Sequence, residues 1–212
     1  MLSQHFFDRD PQIVAQELLG KILRHYYQGM WLSAQIIETE AYYITDRASH
    51  ASLGYTEKRK ALFMPAGTIY MYYARGGDSF NVSCAGAGNA VLLKSGIPYF
   101  AEKNSEKMIK IMQKLNPQKN GQPRLPEKLC SGQTLLCKSL NLKVPEWDQK
   151  SFKEKRLRID DRGICPRDII QTTRLGIPLG RDELLPYRYI SYDYAIHCSK
   201  NPLSRKKLRH LL

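Results

Sequence analysis

Hydrophobic and polar side chains alternate along residues 31–42 with the two-residue period of a β-strand. Strict alternation places six side chains on one face of this strand: Leu32, Ala34, Ile36, Glu38, Glu40 and Tyr42. An apolar face would then end in two carboxylates. Burying an unpaired carboxylate costs several kcal/mol, so a fold tolerates one mainly where the group has a task. The pattern therefore marks Glu38 and Glu40 as candidates for a functional site.

Further strands and helices follow from the same periodicities and from the turn residues between them. The predicted strands cover residues 21–27, 31–42, 67–73, 79–84, 90–94 and 187–192. The predicted helices cover residues 11–19, 108–115, 132–140 and 167–174. Strand pairs joined by short turns dominate the first half of the chain, as at Gln28 and Gly29. We therefore expect a mixed α/β (α+β) fold, a single domain around a curved, largely antiparallel β-sheet with peripheral helices.

The chain is long enough for one well-filled core and is strongly basic. Its 212 residues include 33 Lys and Arg against 20 Asp and Glu, a formal net charge of +13. A charge of this size attracts a polyanion, so nucleic acid is the leading partner. The alternative is a solvated surface that happens to be basic. Residues 1–203 are predicted to form the domain and residues 204–212 a basic tail.

Cysteine usage and the apolar runs bear on the cellular compartment. The chain has five cysteines and no C-x-x-C pair, which argues against a disulfide framework and against a zinc site. We interpret them as buried thiols in a reducing compartment. The chain begins without a basic leader, and no stretch approaches the roughly 18 apolar residues of a membrane helix. We expect a cytoplasmic protein, associated with the nucleoid if bacterial, that binds no membrane.

A second cluster, residues 63–73, is rich in aromatic side chains, and Tyr70 and Tyr72 share one face of its strand. Aromatic rings beside a buried carboxylate suit a flat, electron-poor ligand, because a cationic ring gains both stacking and cation–π attraction. Alkylated purines are ligands of this kind. Single tyrosines are more often core residues, and Tyr70 is interpreted as core.

Short motifs in a fixed order carry a resemblance to a known family. They are Leu18-Leu19-Gly20, Ile36-Ile37-Glu38-Thr39-Glu40-Ala41-Tyr42, Ser49-His50, Phe63-Met64-Pro65, Gly67-Thr68-Ile69-Tyr70-Met71-Tyr72, Asn81-Val82-Ser83, Ala90-Val91-Leu92-Leu93-Lys94, Leu129-Cys130-Ser131-Gly132 and Arg174-Leu175-Gly176-Ile177. With them the chain resembles the alkyladenine (3-methyladenine) DNA glycosylase family, mammalian type, over nearly its whole length. Each motif alone is weak, but the ordered set is specific, above all Glu-Thr-Glu-Ala-Tyr.

The resemblance gives the two carboxylates different roles. Glu40 matches the family's catalytic general base, which would activate water and stabilise positive charge on the deoxyribose while the N-glycosidic bond is hydrolysed. Without the resemblance, an end-of-strand glutamate paired with a lysine would be the preferred interpretation. Only the alignment distinguishes Glu38 from Glu40, and we expect Glu38 to have a cationic or backbone partner and a structural role.

The resemblance also implies a set of ligand contacts. Tyr42, His50 and Tyr72 match the residues that sandwich the extruded base. Asn81 matches an asparagine that crowds the exocyclic amine of guanine and so excludes that base. Lys94 stands where the family commonly has arginine, and its simplest inherited role is a phosphate or water contact. Lysine keeps the charge of arginine and loses its bidentate geometry.

The hairpin tip at residues 73–80 departs from the family pattern. The family fills the space that the extruded base leaves with a tyrosine at this tip, inserted from the minor groove. Here the tip is one residue shorter, and Arg75 falls nearest to the inserting position. Arginine can stack on bases and occupy a narrow minor groove, although it could also contact phosphate alone. Arg75 is therefore the predicted wedge, with Tyr73 as the substitute.

The implied function is base-excision repair without a metal or a cofactor. The chain would act as a monomer and a monofunctional glycosylase that hydrolyses alkylated purines, 3-methyladenine first, from double-stranded DNA. Basic residues near 73–78, 94 and 103–128 are candidates for phosphate contacts. Two alternatives stay open. One is a catalytically impaired nucleic-acid-binding protein that retains the pocket, and the other is an RNA-binding domain whose tyrosines stack single-stranded bases.

Overall fold

Residues 1–74 and 76–203, which a computed structural model describes, fold as one domain around a curled antiparallel sheet. The strands in these residues are β1 Ile22–Tyr27, β2 Met30–Tyr42, β3 Ile69–Ala74, β4 Gly77–Ser83, β5 Ala90–Pro98, β6 Leu157–Asp160, β7 Ile169–Thr172 and β8 Arg188–Ser191. Six strands lie in the order β3-β4-β5-β2-β1-β6, while β8 pairs with β2 and β7 pairs with β8. The expected α+β fold is confirmed.

Short helices surround the sheet. The α-helices of the described residues are α1 Gln4–Phe7, α2 Pro11–Glu17, α3 Ser105–Leu115, α4 Gln133–Ser139 and α5 Val144–Trp147. The 3₁₀ helices are His50–Leu53, Glu57–Phe63, Pro126–Lys128 and Tyr192–His197. Helix α3 buries Met108 and Met112 against the main core and exposes its lysines, as its apolar spacing predicts.

Local sequence explains where α2 begins and where the first hairpin turns. The Asp10 side chain accepts a hydrogen bond from the backbone N–H of Gln12 at 2.8 Å, and Pro11 occupies the first helical position. Gln28 and Gly29 have positive φ angles of 47° and 80°, which allow a two-residue turn between β1 and β2. Both elements confirm the prediction from sequence.

Strand β2 changes its partner half-way along its length. Residues 30–35 pair with β1, whereas residues 38–40 pair with β8. On its other edge β2 pairs with β5, and this register shifts between Ile36 and Glu38 and again between Glu38 and Thr39. A bulge of this kind interrupts the alternation of side chains and re-aims those that follow it.

The bulge reverses the faces of β2. Ile36 and Ala41 both belong to the main hydrophobic core, although one has an even and the other an odd position. Thr39 Oγ1 also points to this side, because it donates to the Ala15 carbonyl of α2 at 2.8 Å. The two carboxylates therefore lie on the face opposite to Ile36. The prediction of one shared face is wrong, because it assumed regular pairing throughout the strand.

Glu38 is fully buried and has a cation of its own. Arg188 Nε lies 2.6 Å from its Oε1 atom, and both side chains are inaccessible to solvent. Ser199 donates to Glu38 from its backbone N–H and from its hydroxyl, each at 2.8 Å, and the Ser95 hydroxyl is a further donor. The expected cationic and backbone partners are thus present, and they fasten the segment after β8 to the centre of the sheet.

The structure differs from the sequence prediction at two strands, β6 and β7. A helix is predicted over residues 167–174, but β7 lies there and pairs with β8. The β-branched side chains of Ile169, Ile170 and Thr172 favour the strand once an edge is available to pair with. Strand β6 is not predicted, since four residues are too few for a clear period, and its pairing with β1 determines its structure.

Most of the cysteines lie in the interior of the protein. Four of the five cysteines are buried free thiols as predicted, whereas Cys165 is exposed. Burial raises the pKa of Cys84 to about 12 and that of Cys198 to about 11. The predicted basic tail, residues 204–212, lies outside the described residues. Among residues 1–74 and 76–203 there is no helix with the length and apolar character needed to cross a membrane.

Replacing Arg188 by Met is expected to destabilise the fold strongly. The change leaves the Glu38 carboxylate buried without its cation, and removing one partner of a buried pair costs about 3–5 kcal/mol. The free energy of unfolding, measured in urea, should fall by about that amount. The matched control is Arg167→Met, which removes an exposed pair with Asp193 and should cost about 1 kcal/mol or less. Equal losses for the two variants would contradict this account of Glu38.

Candidate functional site

A cavity of about 220 Å³ opens on the face of the sheet that carries the two carboxylates. Strands β2 to β5 form its floor, the 3₁₀ helix at His50 forms one side, and residues 175–181 form another. We call this cavity the pocket. Most of the predicted site residues line it: Tyr42, His50, Tyr72, Asn81 and Lys94.

Glu40 lies directly behind the pocket wall. Its side chain is fully buried, and its Oε2 atom accepts a hydrogen bond from the Tyr42 hydroxyl at 2.7 Å. Lys94 Nζ lies 3.3 Å from Oε1 and 3.4 Å from Oε2, and the backbone N–H of Leu175 donates to Oε1 at 3.3 Å. Since Tyr42, Lys94 and Leu175 all line the pocket, the carboxylate lies immediately beside it.

The Lys94–Glu40 pair is looser than a direct charge-assisted hydrogen bond. Such bonds are typically about 2.7–2.9 Å long, whereas both Lys94 distances exceed 3.2 Å. The ammonium group straddles the two oxygens, and its side chain is only 8% exposed. Lys94 therefore balances the charge of Glu40 inside the protein, and its predicted contact with phosphate or water stays a prediction.

Tyr42 is held between the carboxylate and a buried arginine. The Arg174 guanidinium carbon lies 4.6 Å from the centre of the Tyr42 ring, within cation–π range. Arg174 in turn donates to Asp46 Oδ2 at 2.5 Å and to the Ala41 carbonyl at 3.1 Å. Burial, and then the charge of Glu40, raise the pKa of Tyr42 well above 10.0, so its hydroxyl keeps the proton that it donates to Glu40.

Three aromatic rings form one wall of the pocket. The His50 ring lies 4.4 Å from the Tyr72 ring, centre to centre, and the Tyr70 and Tyr72 rings lie 5.4 Å apart. His50 Nδ1 is 2.9 Å from the Tyr70 hydroxyl. Tyr70 is buried as predicted, yet it also lines the pocket. Its position across from His50 could not be predicted from sequence spacing.

Asn81 is fixed at the base of this wall by the pairing of β3 with β4. It stands opposite Tyr70 in the register, and its Nδ2 atom donates to the Tyr70 carbonyl at 3.1 Å. The amide is therefore oriented by the sheet, and little of it is exposed. Gln133 of α4 also lines the pocket, and its side-chain amide donates to the Ser79 hydroxyl at 2.7 Å.

The β3–β4 hairpin lies beside the pocket. Ala74 pairs with Gly77 at its tip and also lines the pocket. Tyr73, the neighbour of Ala74, is 71% exposed, so it is free to meet a ligand outside the pocket. Arg75, the predicted wedge, lies outside the described residues, and its role stays a prediction.

The sequence analysis assigned no function to several pocket residues. The motif at residues 174–177 was matched as a whole, but the structure shows that Arg174 holds Tyr42 and that the Leu175 N–H contacts Glu40. Arg181 lines the pocket and donates to the Arg47 carbonyl. Backbone donors and contacts across more than a hundred residues leave no periodic signal in the sequence.

The surroundings of His50 change the pKa of its imidazole. Burial of its ring lowers the pKa of His50 below 6.5, and the positive charges of Arg59 and Arg181 lower it further. The neutral form of the imidazole is therefore favoured near pH 7, and in that form one ring nitrogen donates a hydrogen bond while the other accepts one. A cluster of three or more His, Cys, Asp or Glu side chains able to hold a metal ion is absent from residues 1–74 and 76–203.

Comparison with known proteins places the chain in a family. The family model described as methylpurine-DNA glycosylase matches residues 5–195. The chain belongs to the methylpurine-DNA glycosylase family. This confirms the resemblance drawn from the sequence motifs and assigns the chain to the DNA-repair glycosylases for alkylated bases.

Individual relatives agree with the family match. A protein of Pseudomonas savastanoi is 58% identical over 204 residues, which cover 96% of this chain and 92% of the relative. A protein of Pseudomonas aeruginosa is 57% identical over 204 residues, which cover 96% of this chain and 85% of the relative. A more distant one, of Carboxydothermus hydrogenoformans, is 34% identical over 194 residues, 89% of this chain and 94% of the relative. All three are provisionally named 3-methyladenine DNA glycosylase.

Lowering the pH is expected to destabilise the protein through His50. The folded-state pKa lies below 6.5, the value of the unfolded chain, so between the two values the unfolded chain holds the proton more tightly. The free energy of unfolding should therefore fall as the pH drops from about 7 to about 5. In the His50→Gln variant the free energy of unfolding should fall less over the same pH range than in the wild type. Urea unfolding at both pH values measures the difference. An NMR titration that places the pKa of His50 above 6.5 would contradict the prediction.

Proposed function

We propose that the chain is a monofunctional DNA glycosylase that hydrolyses alkylated purines, 3-methyladenine first, from double-stranded DNA and leaves an abasic site. One observation carries the proposal. In a member of the methylpurine-DNA glycosylase family, a fully buried carboxylate, Glu40, is joined by Tyr42 to a pocket walled with aromatic rings. The pocket is lined by Tyr42, His50, Tyr72, Asn81 and Lys94, which supports the proposal.

The pocket suits an alkylated purine better than an ordinary base. Alkylation at a ring nitrogen gives the purine nucleotide a positive charge, and a cationic ring is attracted to the faces of tyrosines. Tyr42, His50 and Tyr72 would sandwich the ring once the nucleotide has left the base stack. A neutral His50 supports this, because a protonated imidazole would repel a cationic purine.

Glu40 is assigned the role of general base. Its carboxylate would take a proton from a water molecule while the water oxygen attacks the anomeric carbon. The carbon–nitrogen bond to the purine breaks, and its electron pair leaves with the base, which becomes neutral when the nucleotide was cationic. The negative charge of Glu40 also stabilises the positive charge that develops on the sugar.

Lys94 would support the charge of Glu40, and Asn81 would select the base. Lys94 holds its charge beside Glu40, so that an otherwise unpaired carboxylate is tolerated in the interior. Asn81, which the sheet holds rigidly, would crowd the exocyclic amine of guanine and exclude that base. Removal of a guanine that carries no alkyl group is therefore not expected.

Binding to duplex DNA rests on the charge of the chain and on the hairpin beside the pocket. A net charge of +13 favours a polyanion, and basic residues near 73–78, 94 and 103–128 are proposed phosphate contacts. Arg75, or Tyr73 in its place, would fill the space that the flipped nucleotide leaves. The protein would act as a monomer in the cytoplasm, with the nucleoid if the cell is bacterial.

Replacing Glu40 by Gln is expected to remove most excision and to preserve DNA binding. The amide keeps the size of the carboxylate but cannot take the proton from water, and general-base catalysis contributes about 10²–10⁴-fold to the rate. Abasic sites formed in duplex oligonucleotides that carry one damaged purine measure the rate, and fluorescence anisotropy measures binding.

The matched control is Glu17→Gln, which alters a partly exposed carboxylate paired with Arg9 on the surface and should leave both readouts unchanged. Urea unfolding of Glu40→Gln checks that Lys94, left without its carboxylate, has not unfolded the chain. Excision by Glu40→Gln at the wild-type rate would refute the assignment. Tight binding without excision by the wild type would favour the catalytically impaired binding protein instead.

A further inference from the structure

A turn at the mouth of the pocket carries the most exposed large hydrophobic side chain among the described residues. The side chain of Leu179 is 91% exposed. Its neighbour Pro178 lines the pocket together with Ile177, and consecutive Cα atoms are about 3.8 Å apart. Leu179 therefore stands at the edge of the opening and not on a distant surface.

The turn that carries Leu179 has a defined geometry. The backbone N–H of Arg181 donates to the Pro178 carbonyl at 3.2 Å, which closes a four-residue β-turn. Gly180 occupies the third position with a φ of 75°, as a type II turn requires. Leu179 takes the second position, at the outer corner of the turn, where its side chain points away from the closing hydrogen bond.

The turn is anchored on both sides of its tip. On one side, the Leu175 N–H bonds Glu40, as described above. On the other, Arg181 donates to the Arg47 carbonyl from Nε at 3.0 Å and from Nη2 at 2.5 Å. The N–H of Arg47 returns a hydrogen bond to Asp182 Oδ2 at 2.8 Å. A tip held in this way keeps its apolar side chain exposed with little freedom to fold back onto the protein.

We propose that Leu179 is a second DNA-contacting wedge, which inserts into the duplex beside the flipped nucleotide. The inference rests on the proposed function. Ala74 and Pro178 both line the pocket, and each has an exposed apolar neighbour in the chain, Tyr73 before Ala74 and Leu179 after Pro178. Two exposed apolar side chains are thus each one residue away from the pocket lining.

The chemistry around the tip favours DNA as the partner. Arg47 and Arg181 lie beside it and are both exposed, whereas the neighbouring Asp182 and Glu183 are only partly exposed, so the more accessible charges at the tip are cations that attract phosphate. Leucine is among the apolar side chains that insert between base steps and unstack them. A wedge on this side would help to hold open a duplex from which one nucleotide has been removed.

A second exposed leucine provides a matched control. Leu184 is 79% exposed and follows Asp182 and Glu183, and with Arg47 and Gly180 it surrounds a separate small cavity. It is absent from the pocket lining. Leu179→Ala and Leu184→Ala therefore remove the same exposed side chain from two positions five residues apart, of which only Leu179 adjoins a residue that lines the pocket.

Single-turnover excision measures the first effect. The substrate is one damaged purine, the best released by the wild type among hypoxanthine, ethenoadenine and 7-methylguanine, in an oligonucleotide used single-stranded or annealed. Leu179→Ala should be about tenfold slower on the duplex, because the apolar side chain that keeps the base step unstacked is removed, and within about twofold of wild type on the single strand. Leu184→Ala should match wild type on both. Equal rates of Leu179→Ala and wild type on the duplex would overturn the proposal, as would an equal loss on both substrates.

A binding measurement separates this inference from the proposed function. Fluorescence anisotropy with a duplex that contains a tetrahydrofuran abasic-site analogue needs no catalysis. Weaker binding by Leu179→Ala, with Leu184→Ala unchanged, supports the wedge even if the wild type excises none of the damaged purines, a result that would refute the proposed function alone. Unchanged binding by Leu179→Ala overturns the wedge and leaves the proposed function in place.

Discussion

Glu40 has no contact with bulk solvent, so its charge must be balanced inside the protein, and the pocket is arranged around this requirement. The same holds for Glu38, two residues earlier on the same face of β2. The structure gives each carboxylate a separate cation, Arg188 for Glu38 and Lys94 for Glu40. Moving two such charges into the interior without partners would cost several kcal/mol each. The tightly bonded Glu38 fastens the fold, while the looser Lys94 pair leaves Glu40 with only moderate restraint.

The irregular register between β2 and β5, which skips Ile37 of β2 and Lys94 of β5, makes this separation possible. Because the register between β2 and β5 shifts around Glu38, two adjacent residues of β5 contact the two carboxylates: Lys94 contacts Glu40, and Ser95 contacts Glu38. In a regular strand, adjacent side chains point to opposite faces and could not do so. The same irregularity turns the carboxylates away from the main core, toward the side where the pocket opens.

Much of the local structure could be predicted from sequence, because it depends on neighbours along the chain. The Asp10 cap, the turn at Gln28 and Gly29, and the buried methionines of α3 are examples. The bulge was missed, since alternation alone contains no information about strand register. The strand at residues 169–172 was missed because only pairing with β8 selects it over a helix. The family motifs located Glu40, Tyr42, His50 and Tyr72, but not the Leu175 N–H or the Arg174–Asp46 pair, which depend on contacts between distant segments.

One segment, residues 174–182, joins the chemistry of the pocket to its opening. Arg174 stacks on Tyr42, the Leu175 N–H bonds Glu40, residues 175–178 line the pocket, and Arg181 ties the far end to Arg47. Any displacement of the tip by DNA would therefore be transmitted over a few residues to the hydrogen bond on Glu40 and to the ring beside it. A contact at Leu179 would act on the same short segment that orients the carboxylate. Recognition of an opened duplex and the restraint on Glu40, the proposed general base, would then depend on a single structural element.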